Sequence, residues 1–324
     1  MLSVVCSALG PLSQVTVGES ESPPLAANQV RIKVAAAGVN FVDALFVQGK
    51  YQTTPPVPFV PGSEISGRVI EVAPGVTTFE VGSRVFANVR LGGYASEVVV
   101  DAKRVRPTPE VLSDGQAATF TQSYLTAWFA LVQRAHAQPG QTLLVLGAGS
   151  GVGLAGVDLG SALGLRVIAA ASTSDKREAA RSRGADAVID SANEDVKARA
   201  RELTGGDGVD IIYDPVGGVQ SEEALRALRE DGQLLVIGFA SGTIPRFAAN
   251  QILLRNRRVT GVEWGSWAVR NPDGNDAMLN EVLTRIERRE LTPVEPVTYR
   301  LAHAAQAMQD QLDRRVTGKA VLVP

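Results

Sequence analysis

One stretch decides the fold: Thr142 to Arg177 reads TLLVLGAGSGVGLAGVDLGSALGLRVIAAASTSDKR. Two short apolar runs in it, TLLVL and RVIAAA, have the length and character of buried strands. A helical pattern rich in small residues lies between them, and glycines fill the turn that precedes the helix. This order predicts a strand, a tight turn, a helix and a second, parallel strand.

The same alternation continues along the chain. Further strand candidates are DAVID (186–190), VDIIYD (209–214), QLLVIGF (233–239) and VTGVEW (259–264), with helical stretches between most of them. About six strands alternating with helices predict an α/β domain with a doubly wound parallel sheet. Before residue 141, short β-like runs separated by Pro and Gly predict a β-rich, antiparallel or barrel-like domain. After Gly265 come two amphipathic helices and two strands, which we expect to pack on the first domain.

Composition narrows the range of ligands and locations. A chain of 324 residues with 45% apolar residues predicts a folded protein of two domains, or of one domain interrupted by another. The net charge of −2 gives no basic field for nucleic acid, so a small-molecule ligand is favoured. The single cysteine, Cys6, excludes an intrachain disulfide and indicates the cytoplasm. Residues 143–165 come nearest to a membrane span, but recurrent glycines and Asp158 indicate a strand, turn and helix, so no membrane contact is expected.

The turn Gly147–Gly153 predicts a dinucleotide site. Small residues let the backbone approach a pyrophosphate, which the N–H groups at the helix start would bind, with Ser150, Gly151 and Val152 as the expected contacts. The strict GxGxxG spacing is not met, because Ala148 and Ser150 stand at the two earlier glycine positions. The place of the turn, at the first crossing of a βαβαβ series, favours the nucleotide interpretation.

The glycine spacing also resembles that of short-chain dehydrogenases. Those enzymes need a Tyr-x-x-x-Lys pair, and no tyrosine of this chain is followed by lysine four residues later. The sequence therefore argues against a short-chain dehydrogenase.

The end of the second predicted strand favours NADPH over NADH. An NAD site carries a carboxylate there, whereas this chain has the hydroxyls of Ser172 and Thr173, followed by Lys176. Hydroxyl donors and a cation suit a 2′-phosphate. The alternative is that Ser174 caps a helix, Lys176 is solvated and Asp175 binds a ribose.

Taken together, these residues resemble the zinc-free quinone oxidoreductase (zeta-crystallin-like) branch of the medium-chain dehydrogenase/reductase superfamily. The resemblance covers nearly the whole chain and rests on several segments: GVNFVDALFVQGKY (38–51), VPGSEISGRVIEVAPGV (60–76), AATFTQSYLTAWFAL (117–131), YDPVGG (213–218), VIGFASG (236–242) and DRRVTGKAVLVP (313–324). It implies a Rossmann domain inserted in a GroES-like β-rich catalytic domain, with residues 1–122 and 266–324 in the catalytic domain and 123–265 in the NADPH-binding domain. It also implies an active site in the cleft between the domains and a homodimer.

The resemblance assigns site residues as well. Asn40 and Tyr51 are the expected catalytic residues, which face the nicotinamide and the acceptor. Some relatives have another tyrosine where this chain has Leu45. The expected cofactor contacts beyond the glycine loop and Lys176 are Thr126, Ser191, Gly238, Phe239, Ser241 and Lys319. Ser191 replaces a tyrosine often found near the adenine, and Arg314, Trp264 and Trp267 are further candidates near the cofactor or the cleft.

No metal site is expected. Zinc-dependent relatives carry a Gly-His-Glu motif and a cysteine cluster, whereas the matching segment here is Gly62-Ser63-Glu64. His136 and His303 lie far from that segment in sequence.

The predicted activity is NADPH-dependent, zinc-independent reduction of quinones or electron-poor enones by hydride transfer. A quinone needs little polarisation, because hydride addition gives a delocalised anion that hydrogen-bond donors can stabilise. Two alternatives stay open at this point. One is reduction of the double bond of an enoyl thioester or 2-alkenal, and the other is a non-enzymatic NADPH- or RNA-binding role.

Overall fold

The computed structural model describes the whole chain, Met1–Pro324. The chain forms two compact units. The terminal unit combines both chain ends, Met1–Thr121 and Pro293–Pro324, and the central unit is the continuous stretch Gln122–Thr292. A β-rich unit interrupted by a doubly wound α/β unit is the fold class that the sequence predicts, and the strand order of each sheet confirms it.

The first part of the terminal unit is rich in strands. Its elements are β1 (Leu2–Val5), β2 (Thr16–Glu19), β3 (Gln29–Val39), α1 (Phe41–Gln48), β4 (Glu64–Val72), β5 (Arg84–Asn88), β6 (Glu97–Asp101), β7 (Val105–Pro107) and α2 (Asp114–Ala117). All strand pairs among them are antiparallel: β1 with β2, β3 with β4 and β6, β4 with β5, and β5 with β7. Alternate residues of β3, Val30, Ile32 and Val34, are buried, as expected for a strand with one face on a core.

The central unit follows, with parallel strands and helices in alternation. Its elements are α3 (Phe120–Trp128), β8 (Thr142–Val145), α4 (Gly151–Ala162), β9 (Arg166–Ala171), α5 (Ser174–Arg181), β10 (Ala187–Asp190), α6 (Val196–Leu203), β11 (Val209–Asp214), α7 (Gly218–Ala224), β12 (Leu228–Val236), α8 (Ala249–Leu253), β13 (Arg258–Gly261), α9 (Trp264–Arg270) and α10 (Pro272–Glu287). The six strands form one sheet in the order β10-β9-β8-β11-β12-β13. The apolar runs of the sequence are the central strands of this sheet, and they are buried on both faces. No helix of the chain combines the length and apolar character needed to cross a membrane.

The last part of the chain completes the terminal unit with β14 (Val297–Arg300), α11 (Ala304–Leu312) and β15 (Ala320–Val323). Strand β15 pairs antiparallel with β3, with Ala320 opposite Val39. The resulting seven-stranded sheet runs in the order β14-β15-β3-β4-β5-β7, with β6 paired to β3. The ending therefore joins the first part of the chain, as expected from the sequence.

The sequence predicts that the chain returns to the terminal unit at residue 266. In the structure this return lies later, at Pro293. Residues 266–292 belong to the compact central unit. The ring of Trp267 lies 4.9 Å from that of Phe129, and the guanidinium of Arg285 lies 5.5 Å above the ring of Trp128. An amphipathic pattern shows that a helix packs but not on which core, so the sequence does not locate this crossing. The functional domain boundaries stay predictions.

Gly67 gives a test of the terminal sheet. A Cβ at this position of β4 would lie 2.0 Å from the carbonyl oxygen of Lys33 in β3. We expect Gly67→Ala to lower the free energy of unfolding by about 1–3 kcal/mol, because the paired backbones must separate. Gly18→Ala in β2 is the matched control, since a Cβ there meets nothing within 4 Å. Urea unfolding of both variants measures the difference, and equal unfolding midpoints would show that the sheet accommodates the methyl group.

Candidate active site

The glycine loop after β8 forms the tight turn that the sequence predicts. Ser150 caps α4 by accepting a hydrogen bond from the backbone N–H of Gly153 (3.1 Å), and its hydroxyl donates to the carbonyl oxygen of Gly147 (2.8 Å). A Cβ at Gly153 would lie 2.3 Å from that same carbonyl oxygen. Only glycine fits here, and the N-terminus of α4, with Gly151 and Val152, is left to bind an anion.

Three loops meet at the carboxyl ends of neighbouring strands. The glycine loop touches the turn after β11, since a Cβ at Gly147 would lie 2.8 Å from a methyl group of Val216. The loop after β12 joins them, because the backbone N–H of Ser241 donates to the carbonyl oxygen of Val216 (2.8 Å). Strand order reverses between β8 and β11, and such a switch point is where open α/β sheets bind ligands. Gly147, Ser150 and Ser241 are thus brought to one edge of the sheet, together with Gly238 and Phe239.

Asp214 at the end of β11 holds the turn that follows this strand in place. Its buried carboxylate accepts hydrogen bonds from the backbone N–H groups of Val216 (2.9 Å) and Gly217 (3.0 Å), and from the hydroxyl of Ser221. Burial raises the pKa of Asp214, and these three donors act in the opposite direction. Its position, at the end of an apolar strand and before Pro-Val-Gly-Gly, is the signal by which the sequence could have revealed it.

Lys176 lies across the glycine loop. A Cβ at Gly149 would lie 2.4 Å from the Cγ atom of Lys176, so the lysine stem occupies the space that glycine leaves. The N-cap of α5 is Thr173, whose hydroxyl accepts from the backbone N–H of Lys176 (3.4 Å). Ser174 is the first helical residue rather than the cap proposed in the alternative interpretation. Lys176, the cation that the sequence assigns to a 2′-phosphate, is therefore held beside the glycine loop.

A second cation, which the sequence pattern does not indicate, lies at this strand end. The guanidinium of Arg177 donates to the carbonyl oxygen of Ala171 (3.3 Å) and pairs with the carboxylate of Asp190 (3.0 Å). Asp190 ends β10 and lies opposite Ala171 in the sheet register, so it stands beside the β9 end. Ser191 follows it, half-buried, and its backbone N–H donates to the same carbonyl of Ala171 (3.2 Å).

Three other candidates do not join these loops. Thr126 is a half-buried residue of α3, and no hydrogen bond connects its side chain to the strand-end loops. The indole N–H of Trp264 donates to the side-chain oxygen of Asn275 (2.9 Å), and Trp267 packs on Phe129. Both tryptophans therefore make contacts within the central unit itself.

The terminal unit contains a buried polar group, here called the Asn40 cluster, made of Asn40, Asp43, Glu64, Tyr94 and Lys319. The amide Nδ2 of Asn40 donates to Glu64 Oε2 (2.8 Å), and Lys319 Nζ donates to Asn40 Oδ1 (2.5 Å). Asp43 Oδ2 accepts from the backbone N–H of Asn40 (2.8 Å) and from the hydroxyl of Tyr94 (2.9 Å). All five residues are at most 7% exposed. These hydrogen bonds offset much of the cost of burying so many polar groups.

Burial shifts the titration of this cluster. It raises the pKa of Asp43 to about 7, with Glu64 adding to the rise and the bonds from Asn40 and Tyr94 opposing it. The same burial lowers the pKa of Lys319, against the attraction of Glu64 and Asp43. The Oδ1 atom of Asp43 is buried without a hydrogen-bond partner, which agrees with a carboxyl group that holds a proton.

The two expected catalytic residues lie at opposite ends of α1. Asn40 is the N-cap of the helix, and Tyr51 follows Gly49, which ends the helix with a left-handed φ of 66°. The helix between them has eight residues and is roughly 12 Å long. Tyr51 is half-buried, and its ring packs edge-on against Phe46 at 5.0 Å.

Lys319 and Arg314 are the basic residues that the sequence placed near the cofactor. In the structure Lys319 is bonded within the Asn40 cluster, whereas Arg314 is exposed just beyond α11. The signal for the position of Lys319 is pairing between distant strands, which the sequence alone does not reveal.

Comparison with known proteins identifies the family. The alcohol dehydrogenase GroES-like domain model matches residues 26–110, and the zinc-binding dehydrogenase model matches residues 151–281. A quinone oxidoreductase-like protein 2 homolog of Nematostella vectensis is 37% identical over 324 residues, which cover 99% of this chain and 88% of that protein. The chain belongs to the quinone oxidoreductase family of the medium-chain dehydrogenases/reductases. It is an oxidoreductase, as the sequence predicts.

Solved structures agree with this family. The Escherichia coli quinone oxidoreductase in complex with NADPH has a TM-score of 0.89 and 26% identity, with all of both chains covered. The quinone oxidoreductase of Thermus thermophilus, solved alone and with NADPH, has a TM-score of 0.85 and 34% identity, again over all of both chains.

The residues of this oxidoreductase do not fit the zinc ion named in one family model. Zinc takes imidazole and thiolate ligands. In the segment Gly62-Ser63-Glu64 the residue with ligand chemistry is Glu64, whose carboxylate is bonded to Asn40. No group of three or more His, Cys, Asp or Glu residues is placed to hold a metal ion.

The pKa of Asp43 predicts a pH-dependent stability. Because the folded pKa of about 7 exceeds the unfolded value, the folded oxidoreductase binds the extra proton between about pH 4 and pH 7. Its stability relative to Asp43→Asn is greatest at low pH, and we expect it to fall by up to about 1.4 kcal/mol per pH unit as the pH rises through this range.

Urea unfolding of both proteins at pH 5 and pH 8 measures this difference. Glu64, Lys319 and Tyr94 are present in both proteins, so their titration largely cancels. An equal difference in unfolding free energy at pH 5 and pH 8 would show that Asp43 is ionised in the folded protein at both pH values.

Proposed function

We propose that this oxidoreductase catalyses the NADPH-dependent reduction of quinones or related electron-poor enones by hydride transfer, without zinc. The observation that carries the proposal is Lys176, whose stem lies against Gly149 of the phosphate loop. It supplies a cation beside a helix N-terminus at the strand end where an NAD site would carry a carboxylate. The Escherichia coli and Thermus thermophilus structures, both quinone oxidoreductases with NADPH, support the same cofactor and acceptor class.

The central unit would hold NADPH, which supplies the hydride when bound. The N–H groups at the start of α4, with Ser150, Gly151 and Val152, bind the pyrophosphate. Ser172, Thr173 and Lys176 bind the 2′-phosphate, and Arg177 neutralises Asp190, which would otherwise repel that phosphate. Gly238, Phe239 and Ser241 form the loop over the nicotinamide, while Thr126 and Ser191 stay expected contacts of the carboxamide and the adenine.

The terminal unit would act on the acceptor. Asn40 donates a hydrogen bond to the acceptor oxygen as negative charge develops there, and Tyr51 donates or shapes the pocket. The quinone gains a hydride and then a proton from water, which gives the hydroquinone. Because charge spreads over the conjugated ring, amide and hydroxyl donors suffice, whereas a simple ketone needs stronger polarisation.

We also propose a homodimer formed through the central unit. Strand β13 is at the edge of the six-stranded sheet, and edge strands offer unpaired backbone groups. The neighbouring side chains of Leu253 and Leu254 are each 75% exposed, which is costly for an isolated subunit. A cytoplasmic location stays a prediction from the cysteine content.

Lys176→Ala tests the cofactor preference. Loss of one charge-assisted contact costs about 1.5–3 kcal/mol, so we expect NADPH to bind roughly ten-fold more weakly or worse, with NADH nearly unchanged. Arg181→Ala on the same helix is the control, because Arg181 pairs with Glu178 away from the loop and should affect neither cofactor. Cofactor fluorescence gives each dissociation constant. Equal loss for NADPH and NADH would contradict a 2′-phosphate contact.

Asn40→Ala and Tyr51→Phe test the acceptor site. Each should lower kcat/KM for 1,4-benzoquinone by about ten-fold, if the lost hydrogen bond is worth about 1.4 kcal/mol in the transition state. The dissociation constant of NADPH should change little. Tyr299→Phe is the control, since that hydroxyl bonds Asp310 in the terminal unit. Wild-type kcat/KM in both test variants would show that the Asn40 amide and the Tyr51 hydroxyl have only structural roles.

A panel of acceptors identifies the substrate class. An enoyl thioester concentrates charge on one enolate oxygen, so its reduction should suffer more from these substitutions than that of a quinone. Steady-state NADPH oxidation with 9,10-phenanthrenequinone, a 2-alkenal and crotonyl-CoA makes the comparison. Faster turnover of crotonyl-CoA than of any quinone would replace the proposed substrate class.

Zinc independence has its own test. Because the side chains offer no zinc ligand set, we expect purified enzyme to contain well below one zinc per chain and to keep its activity after chelation. Elemental analysis with assays before and after EDTA treatment measures both. A stoichiometric zinc whose removal abolishes turnover would overturn the proposed mechanism.

A further inference from the structure

The Asn40 side chain is held between two groups of opposite hydrogen-bonding character. Lys319 Nζ, which can only donate, lies 2.5 Å from the amide oxygen. The carboxylate of Glu64 lies 2.8 Å from the amide nitrogen. A rotated amide would place its NH₂ group against an ammonium and its oxygen against a carboxylate. Both bonds would become repulsive contacts, so this pair of neighbours allows one orientation of the amide.

Strand register builds this arrangement from three distant segments. Strand β15 pairs with β3 so that Ala320 lies opposite Val39, and Lys319 and Asn40, which directly adjoin this pair, meet through their side chains. Strand β4 pairs with β3 on the other side, with Glu64 opposite Gly38. The ends of these three strands therefore bring the ammonium, the amide and the carboxylate together, as their hydrogen bonds show.

Burial makes these contacts strong. Glu64, Asn40 and Lys319 are 1%, 5% and 7% exposed, so water competes little for their hydrogen bonds. The Lys319 ammonium also lies 3.9 Å from Glu64, and the ion pair holds both groups in place. The second N–H of the planar Asn40 amide then points away from Glu64 in a fixed direction, with its acidity increased by the cation on the oxygen.

We propose that Lys319 is a positioning residue, which orients and polarises the Asn40 amide so that its second N–H donates to the acceptor oxygen. The proposal rests on the proposed function of Asn40. It gives Lys319 a role other than the cofactor contact expected from the sequence. Lys319 acts through Asn40 and does not itself touch the reacting atoms.

A double-mutant cycle with Lys319→Met and Asn40→Ala tests the proposal. With 1,4-benzoquinone at saturating NADPH, Lys319→Met alone should lower kcat by about ten-fold and change KM less, because the oriented bond strengthens as the oxyanion forms. In the Asn40→Ala background the same substitution should change kcat less than about two-fold, since its target is gone. Lys103→Met is the matched control, because Lys103 is an exposed lysine of the same unit, and it should leave kcat unchanged.

Three outcomes would overturn the proposal. Equal loss of kcat in both backgrounds would show that Lys319 acts independently of Asn40. A weakened dissociation constant for NADPH in Lys319→Met, with kcat unchanged, would restore the cofactor contact. Unchanged kcat and cofactor binding would make Lys319 structural. If Asn40→Ala itself has wild-type kcat, the acceptor role of Asn40 fails, and that result is separate from the coupling.

A spectroscopic measurement keeps the test independent of turnover. In ¹⁵N-labelled protein the two side-chain amide protons of Asn40, assigned by their loss in Asn40→Ala, should be widely separated in chemical shift and should converge in Lys319→Met. Identical spectra in the two proteins would contradict orientation by Lys319. If Lys319→Met does not fold, Lys319→Met/Glu64→Gln removes one charge of each sign and should show the same convergence.

Discussion

The terminal unit depends on burying a lysine ammonium among groups that satisfy it. An isolated buried cation is strongly unfavourable, and Lys319 is tolerated because Asn40 accepts its hydrogen bond and Glu64 supplies the opposite charge. Lys319 directly precedes β15, Asn40 is the N-cap of α1 directly after β3, and Glu64 begins β4, so the cluster forms only when these three strands pair in one register. A shift of β15 by one residue would turn Lys319 to the other face and would remove the donor to Asn40 Oδ1 and the cation beside Glu64. The orientation of the Asn40 side chain therefore depends on the register of the sheet.

The central unit depends on a different constraint, which is the close approach of backbone and side-chain atoms at glycine residues. Gly153 must approach the carbonyl of Gly147, and Gly149 must leave room for the stem of Lys176. These close approaches bring a helix N-terminus and a lysine to the same strand ends as Asp214 and its turn. Such contacts are made between residues of one continuous stretch of chain, Gln122–Thr292. The glycine loop is thus specified within one continuous stretch of chain, whereas the Asn40 cluster needs residues from both ends of the chain.

This difference explains what could be predicted from the sequence. The six parallel strands and the glycine turn follow from apolar runs and from short-range spacing, and the structure confirms them. The ending joins the terminal unit as expected, but helix α10 packs in the central unit, because its apolar stripe does not specify a partner. Arg177 was missed because its role depends on Asp190 of the neighbouring strand. Lys319 was expected at the cofactor because a basic residue near the end of the chain carries no sign of the strand with which it pairs.

Charge is used in opposite ways in the two units. In the central unit, Lys176 and Arg177 keep partial access to water, so that an anion could replace solvent around either cation. In the terminal unit, Lys319 is withdrawn from water, and its ammonium is hydrogen-bonded to the neighbouring Asn40 amide. A neutral donor polarised in this way suits a reaction in which a neutral acceptor becomes an anion. It binds the uncharged ground state weakly and responds to the oxyanion as it forms, whereas a cation in direct contact would also attract anions that are not substrates.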